Sequence, residues 1–240
     1  MSGTIQILEG ISKVTINGIT GYACGQIGKP AMIVLQEWWG VTDKIQRQAM
    51  HISSKGYRTV IPDLYKGKLG VTAEEANHMM TNLDFPQAVE EIKQTAEFLK
   101  QEGATKIGVT GFCMGGALTI AAGVKCPDHF ACAAPFYGVP PQEYFDYSTM
   151  KVPVQAHFGA EDKLEGFSDP ATAKKLEEAL KKAGCEHEVH LYDGVGHAFM
   201  NGMVPEWQEK KKALGFGDHV PAQVEMAWER LFGFLGKHLS

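Results

Sequence analysis

Cys113 stands in the run Gly111-Phe112-Cys113-Met114-Gly115, between an apolar stretch at 106–110 and a small-residue stretch reaching 124. A strand that ends in Gly-x-nucleophile-x-Gly and turns at once into a helix lifts its central side chain out at the strand's carboxyl end. The flanking glycines leave room where the two backbones meet, and the positive end of the helix favours negative charge on the sulfur. Such a thiol is a candidate for covalent attack on a carbonyl carbon, and the amide of Met114 is placed to donate to the resulting oxyanion. The competing reading is a buried cysteine in a glycine-rich crossover, because free cysteine often serves as a small core residue.

A nucleophile of this kind needs an imidazole to manage its proton and a carboxylate to hold the imidazole's tautomer. Asp162 follows an apolar strand 49 residues after Cys113, and His197 lies 35 residues further, between Gly196 and Ala198 after another strand. Asp193 is too close to His197 and reads as part of a turn, whereas Asp169 reads as a helix cap. His51, His78, His129, His219 and His238 sit in helical or polar surroundings and read as surface residues. Cys185, His187 and His190 do not read as a metal site, since strand alternation sends 187 and 190 to opposite faces. One more strand end, Leu35-Gln36-Glu37-Trp38-Trp39-Gly40, offers the Trp38 amide as a second oxyanion donor. Glu37 there either pairs with a lysine or caps the next helix, or holds the proton of the Cys113 thiol.

Positioning these residues requires a parallel sheet. Strands are expected at 4–8, 13–17, 31–35, 57–61, 106–110, 131–136, 152–158 and 188–192, several of them continuously apolar, as central strands covered on both faces must be. Helices are expected at 43–55 after Thr42, at 85–102 with Pro86 in the first turn, at 170–183 between Asp169 and Gly184, and at 221–238. A further helix, built of small residues, follows the elbow. Strand–helix alternation implies right-handed parallel crossovers, with the short N-terminal strands added antiparallel at one edge. The expectation is one α/β domain over 1–240, with about eight strands and helices on both faces.

Composition narrows the function classes. The 240 residues are 44% hydrophobic and 21% charged, enough for a large core and unlike a disordered chain. A net charge of −5, with Lys210-Lys211-Lys212 and Lys181-Lys182 set among glutamates, argues against nucleic-acid binding. The longest uncharged stretch, 107–124, is too rich in glycine for a membrane span. The start MSGTIQILEG does not read as a signal peptide, and five cysteines without a CxxC pair favour a reducing, cytoplasmic home. The expected partner is a small molecule bound by a monomer or weak dimer.

With these pieces together, the sequence resembles the dienelactone hydrolase (carboxymethylenebutenolidase) family of α/β-hydrolases. The resemblance rests on Gln36-Glu37-Trp38-Trp39-Gly40, on Gly111-Phe112-Cys113-Met114-Gly115-Gly116, on Tyr137-Gly138, on Asp162, and on Gly196-His197-Ala198-Phe199. It implies a Cys113–His197–Asp162 triad without metal or organic cofactor. It also implies that Glu37 pairs with the resting Cys113 thiol, and that lactones or esters are cleaved through an acyl-enzyme. Tyr137, Phe199 and Trp39 are then expected to bind substrate. Where dienelactone-cleaving members place an arginine, this chain reads Phe199-Met200-Asn201-Gly202, leaving Lys66 or Lys68 as candidate anion contacts and making an apolar ester an equal candidate substrate. Thioester or general carboxylic-ester hydrolysis uses the same residues. A thiol redox sensor on this scaffold would need no histidine held by a carboxylate.

Overall fold

The computed structural model describes residues 3–240. Eight strands form one sheet in the order β1-β2-β4-β3-β5-β6-β7-β8. They are β1 (Ser12–Ile16), β2 (Ile19–Cys24), β3 (Ala31–Leu35), β4 (Arg58–Pro62), β5 (Ile107–Phe112), β6 (Cys132–Phe136), β7 (Val154–Gly159) and β8 (His187–Tyr192). The first three neighbours pair antiparallel, and β4 through β8 pair parallel. Every residue of β3, β4, β5, β6 and β7 is buried, which explains the apolar or small-residue runs of β3, β5 and β6. The polar Arg58 of β4 and Gln155 and His157 of β7 are hydrogen-bonded where they are buried.

Alternate residues of these strands feed two cores. Met32 and Val34 join Ile45, Ala49 and Ile52 of α1 (Asp43–Ser53), and Ala227, Leu231 and Leu235 of α7 (Pro221–Leu239), on one face. Ile33 and Leu35 join residues of α3 (Phe85–Gln101), α4 (Met114–Lys125) and α5 (Pro170–Ala183) on the other. The caps follow the expected grammar. Thr42 accepts from the Ile45 amide, Asp84 from Gln87, Asp169 from Ala171, and Gly184 closes α5 at φ 71°.

Four elements depart from expectation. Residues 4–8 form no strand: Ile5 and Leu8 pack against the α1–α7 core, and Gln46 of α1 bonds the Leu8 amide and the Gln6 carbonyl in place of a neighbouring strand. The strand lost there is replaced by β2, which forms a hairpin with β1 across Asn17-Gly18. Two unexpected helices, α2 (Ala73–Thr81) and α6 (Pro205–Ala213), occupy the long connections around the sheet's carboxyl edge. Among the described residues no helix is long and apolar enough to cross a membrane.

Candidate active site

The parallel register brings the carboxyl ends of β3, β5, β6, β7 and β8 to one edge, the place where open α/β sheets bind ligands. Cys113 leaves β5 at φ 56°, ψ −117°, a left-handed conformation costing a non-glycine residue on the order of 1–3 kcal/mol. Close approach enforces it. A Cβ on Gly115 would lie 2.5 Å from the Leu35 carbonyl oxygen, and one on Gly138 would lie 2.0 Å from that of Cys113 itself. The Cys113 amide donates to Phe136 O at 3.0 Å, anchoring the turn on β6. As the first residue of α4, Met114 has no acceptor for its N–H within the helix, so that amide is free to face an incoming oxygen. Across from it, the turn 37–40 is pinned by Gly40 N donating to Glu37 O and by Gly70 N donating to Trp39 O, and it carries Trp38 to the site.

His197 follows β8 in a loop that docks on the end of β7, where Glu161 N donates to Val195 O. Its Nδ1 bonds Asp162 Oδ2 at 2.8 Å, and Asp162 Oδ1 accepts from the Leu164 amide at 3.0 Å, so the carboxylate is oriented at both oxygens. Ser168 Oγ lies 3.1 Å from the same Nδ1, fully buried. Nothing in the sequence marks this serine: it belongs to a loop turned back by the α5 cap. The ring is packed edge-on against Tyr137 and Phe216 and tilted against Phe167. Burial opposes charge on the imidazole, yet the Cys113 sulfur and the Asp162 hydrogen bond outweigh it and carry its pKa to about 10.

Glu37 is buried beside Cys113, but its bonds differ from those the resemblance implies. Its Oε2 is taken by Lys44 of α1 and by Asn201 Nδ2 at 3.2 Å, not by the cysteine thiol. Lys44 is itself 1% exposed, and a buried ammonium needs a carboxylate partner, which Glu37 supplies. Desolvation pulls the Lys44 pKa down, while Glu37 and then Cys113 push it back up. The sequence hint for this lysine is faint, because Asp43-Lys44 reads as an exposed first helical turn.

Two cavities meet at Cys113. One, of about 440 Å³, is lined mainly by Trp38, Met80, Leu164, Phe167 and Phe216, with Lys163 and Glu165 as its only other charged neighbours besides His197. The other has room for about 10 Å³ and is bordered by Glu37, Trp39, Asn201, Trp207 and Lys210. Tyr137 and Phe199 line neither cavity. They are 0% and 1% exposed and meet edge-to-face at 5.4 Å, filling the core behind the ring of His197, which Tyr137 touches edge-on. Phe112 likewise packs in the core on Phe136. Lys66 is bound to Glu91, and neither it nor Lys68 borders a cavity at Cys113. A larger groove of about 1050 Å³ lies elsewhere, between α3 and the 141–145 loop. Its Cys126 thiol is pushed up by burial, and its His129 turns to Glu97, so it lacks an activated nucleophile. Among the described residues, no cluster of three or more His, Cys, Asp or Glu could hold a metal ion.

The sheet order, the strained elbow and the loops after β7 and β8 define an α/β-hydrolase fold. The sequence matches the dienelactone hydrolase family over residues 18–239, and the chain belongs to that family. It is 29% identical over 233 residues to a protein of Aquifex pyrophilus named protein usf, covering 92% of this chain and 94% of that one. It is also 29% identical over 222 residues to a carboxymethylenebutenolidase of Rhodococcus opacus, covering 87% and 81%. A crystal structure of a putative dienelactone hydrolase from Klebsiella pneumoniae superposes with a TM-score of 0.77 at 20% identity, over 94% of this chain and 98% of that one.

Proposed function

We propose that the chain is a single-domain hydrolase of lactones or carboxylic esters in which Cys113 is the nucleophile, His197 its proton carrier and Asp162 the group that orients His197. The observation that carries this reading is the backbone of Cys113, held at φ 56° at the start of α4 beside an imidazole whose Nδ1 is fixed by a buried carboxylate. With a pKa near 10, His197 is an imidazolium at neutral pH and stabilises a thiolate. The thiolate attacks the ester carbonyl, and the oxyanion is met by the amides of Met114 and Trp38. The imidazolium then protonates the leaving alcohol, and water cleaves the thioester.

Membership in a family with named carboxymethylenebutenolidases supports lactone and ester cleavage. The 440 Å³ cavity favours substrates with an apolar or aromatic group, since its walls are chiefly Trp38, Met80, Phe167 and Phe216. All five cysteines are unpaired, which supports a reducing, cytoplasmic setting. The test is the rate of p-nitrophenyl acetate hydrolysis. Cys113→Ala and His197→Ala should each lose at least about 10³-fold in kcat/KM, by analogy with removal of a triad member elsewhere. Unchanged turnover in Cys113→Ala would refute the assignment.

A further inference from the structure

The smaller cavity beside Cys113 is bordered by two buried polar atoms that make no hydrogen bond, Glu37 Oε1 and Asn201 Oδ1. It is also bordered by His197, whose Nδ1 is held by Asp162 and whose Nε2 is left to the Cys113 sulfur. Leaving one such atom unsatisfied costs on the order of 1–3 kcal/mol, so two around a common space call for an occupant. The space is about 10 Å³, the room that a single water occupies by the same measure, and far too little for an acyl or alcohol group. The orientation of its walls is set from behind. Lys44 holds Glu37 Oε2, and Asn201 Nδ2 donates to that same oxygen, which leaves the amide oxygen of Asn201 and the second carboxylate oxygen as acceptors. The neighbouring lysines are engaged elsewhere. Lys210 lies 3.7 Å over the Trp39 ring, and Lys211 donates to the Asp218 carbonyl at 2.7 Å.

We infer that Asn201, together with Glu37, is a positioning residue for the water that hydrolyses the acyl-enzyme. This rests on Cys113 being the acylated nucleophile. The water gives one hydrogen to His197 Nε2, neutral after protonating the leaving alcohol. Its other hydrogen is held by Asn201 Oδ1 and Glu37 Oε1, and its lone pair faces the thioester carbon. As the oxygen bonds to that carbon, one proton passes to Nε2. The tetrahedral intermediate then collapses with cleavage of the C–S bond, releasing the carboxylic acid and returning the sulfur as thiolate beside the imidazolium. No oxidant, metal or further reactant is involved. Acylation uses the larger cavity and the Met114 and Trp38 amides, so it does not depend on this water.

Stopped-flow release of p-nitrophenol from p-nitrophenyl acetate separates the two half-reactions, and acid-quenched mass spectrometry counts the acetylated enzyme. Asn201→Ala should leave the burst rate within about twofold while slowing the steady-state rate by roughly 10- to 100-fold, the scale expected for a misplaced reactant. KM should fall with kcat, and acetyl-enzyme should accumulate. Asn201→Ser, which keeps a shorter acceptor and disturbs packing less, should show the same split in weaker form. A role in folding alone would depress burst and steady state together. That result, or a steady-state rate unchanged in both variants, would overturn the water site while leaving the cysteine nucleophile intact. Turnover without acetyl-enzyme in wild type or either variant would overturn the nucleophile and this inference with it.

Discussion

The elbow that presents Cys113 and the loops that carry Glu37, Asp162 and His197 meet at the same cavities, yet different forces hold them. At the elbow the contacts are backbone against backbone: Gly111, Gly115, Gly116 and Gly138 each lie where a Cβ would fall within 2.5 Å of a main-chain carbonyl oxygen. Around the loops the contacts are polar side chains: Lys44 with Glu37, Asn201 with Glu37, and Asp162 and Ser168 with His197. The first region tolerates no added volume, because a backbone cannot step aside. The second can lose an atom and keep its shape, but not its charge balance. The polar contacts around His197 and Glu37 are thereby replaceable, whereas the place of Cys113 is fixed by sterics.

Substitutions can break this contrast. Gly138→Ala puts a methyl group 2.0 Å from the Cys113 carbonyl oxygen and should cost about 5 kcal/mol or more of stability, measured by urea unfolding. An alanine tolerated there would mean that the elbow is not sterically locked. Lys44→Met leaves Glu37 buried without its cation, and a loss of ~3–5 kcal/mol is expected. Adding Glu37→Gln should recover much of that loss, whereas no companion substitution of comparable size is expected to rescue Gly138→Ala.

Charge balance in the loop region also predicts a pH dependence. The folded pKa of His197, about 10, lies above its ordinary value of 6.5, so its protonation stabilises the folded state. That contribution is complete below pH 6.5 and is lost as pH rises toward about 10. The stability gap between wild type and His197→Gln should therefore shrink between those values. In a Cys113→Ala background the shrinkage should be smaller, since the sulfur is the largest influence raising the pKa. An equal gap at pH 6 and pH 10 would contradict the ion pair. The smallest effect is expected for Ser168→Ala, about 1 kcal/mol of stability and a several-fold fall in kcat/KM, because Asp162 still holds Nδ1.

The same division explains what the sequence disclosed. Steric requirements are written in glycines and caps, so the elbow at Cys113 could be read directly, and α5 could be placed to the residue between Asp169 and Gly184. Asp162 and His197 were legible because strand ends are, and the structure brings the two into contact. Contacts among polar side chains distant in sequence leave no such mark: Glu37 meets Asn201 across 164 positions, and Ser168 meets His197 across 29. Asn201 and Ser168 were therefore silent; a lysine partner for Glu37 was among the open readings, but nothing singled out Lys44, although it lies only seven positions away. Among the elements, β2 was missed because ITGYAC carries a central glycine, which weakens its strand pattern. Residues 4–8 carried the alternation of a strand, but Gln46 met their backbone first. The Thr72–Glu75 capping box was the available signal for α2.

Peptide mapping of enzyme acid-quenched during turnover of p-nitrophenyl acetate asks directly which sulfur carries the acyl group. Cys126 and Cys185 are partly exposed and serve as internal controls. The account predicts an acetyl group on the peptide containing Cys113, present during turnover and gone once substrate is exhausted. An unmodified Cys113 in actively turning-over enzyme, with acetyl found only on another cysteine or on none, would contradict it.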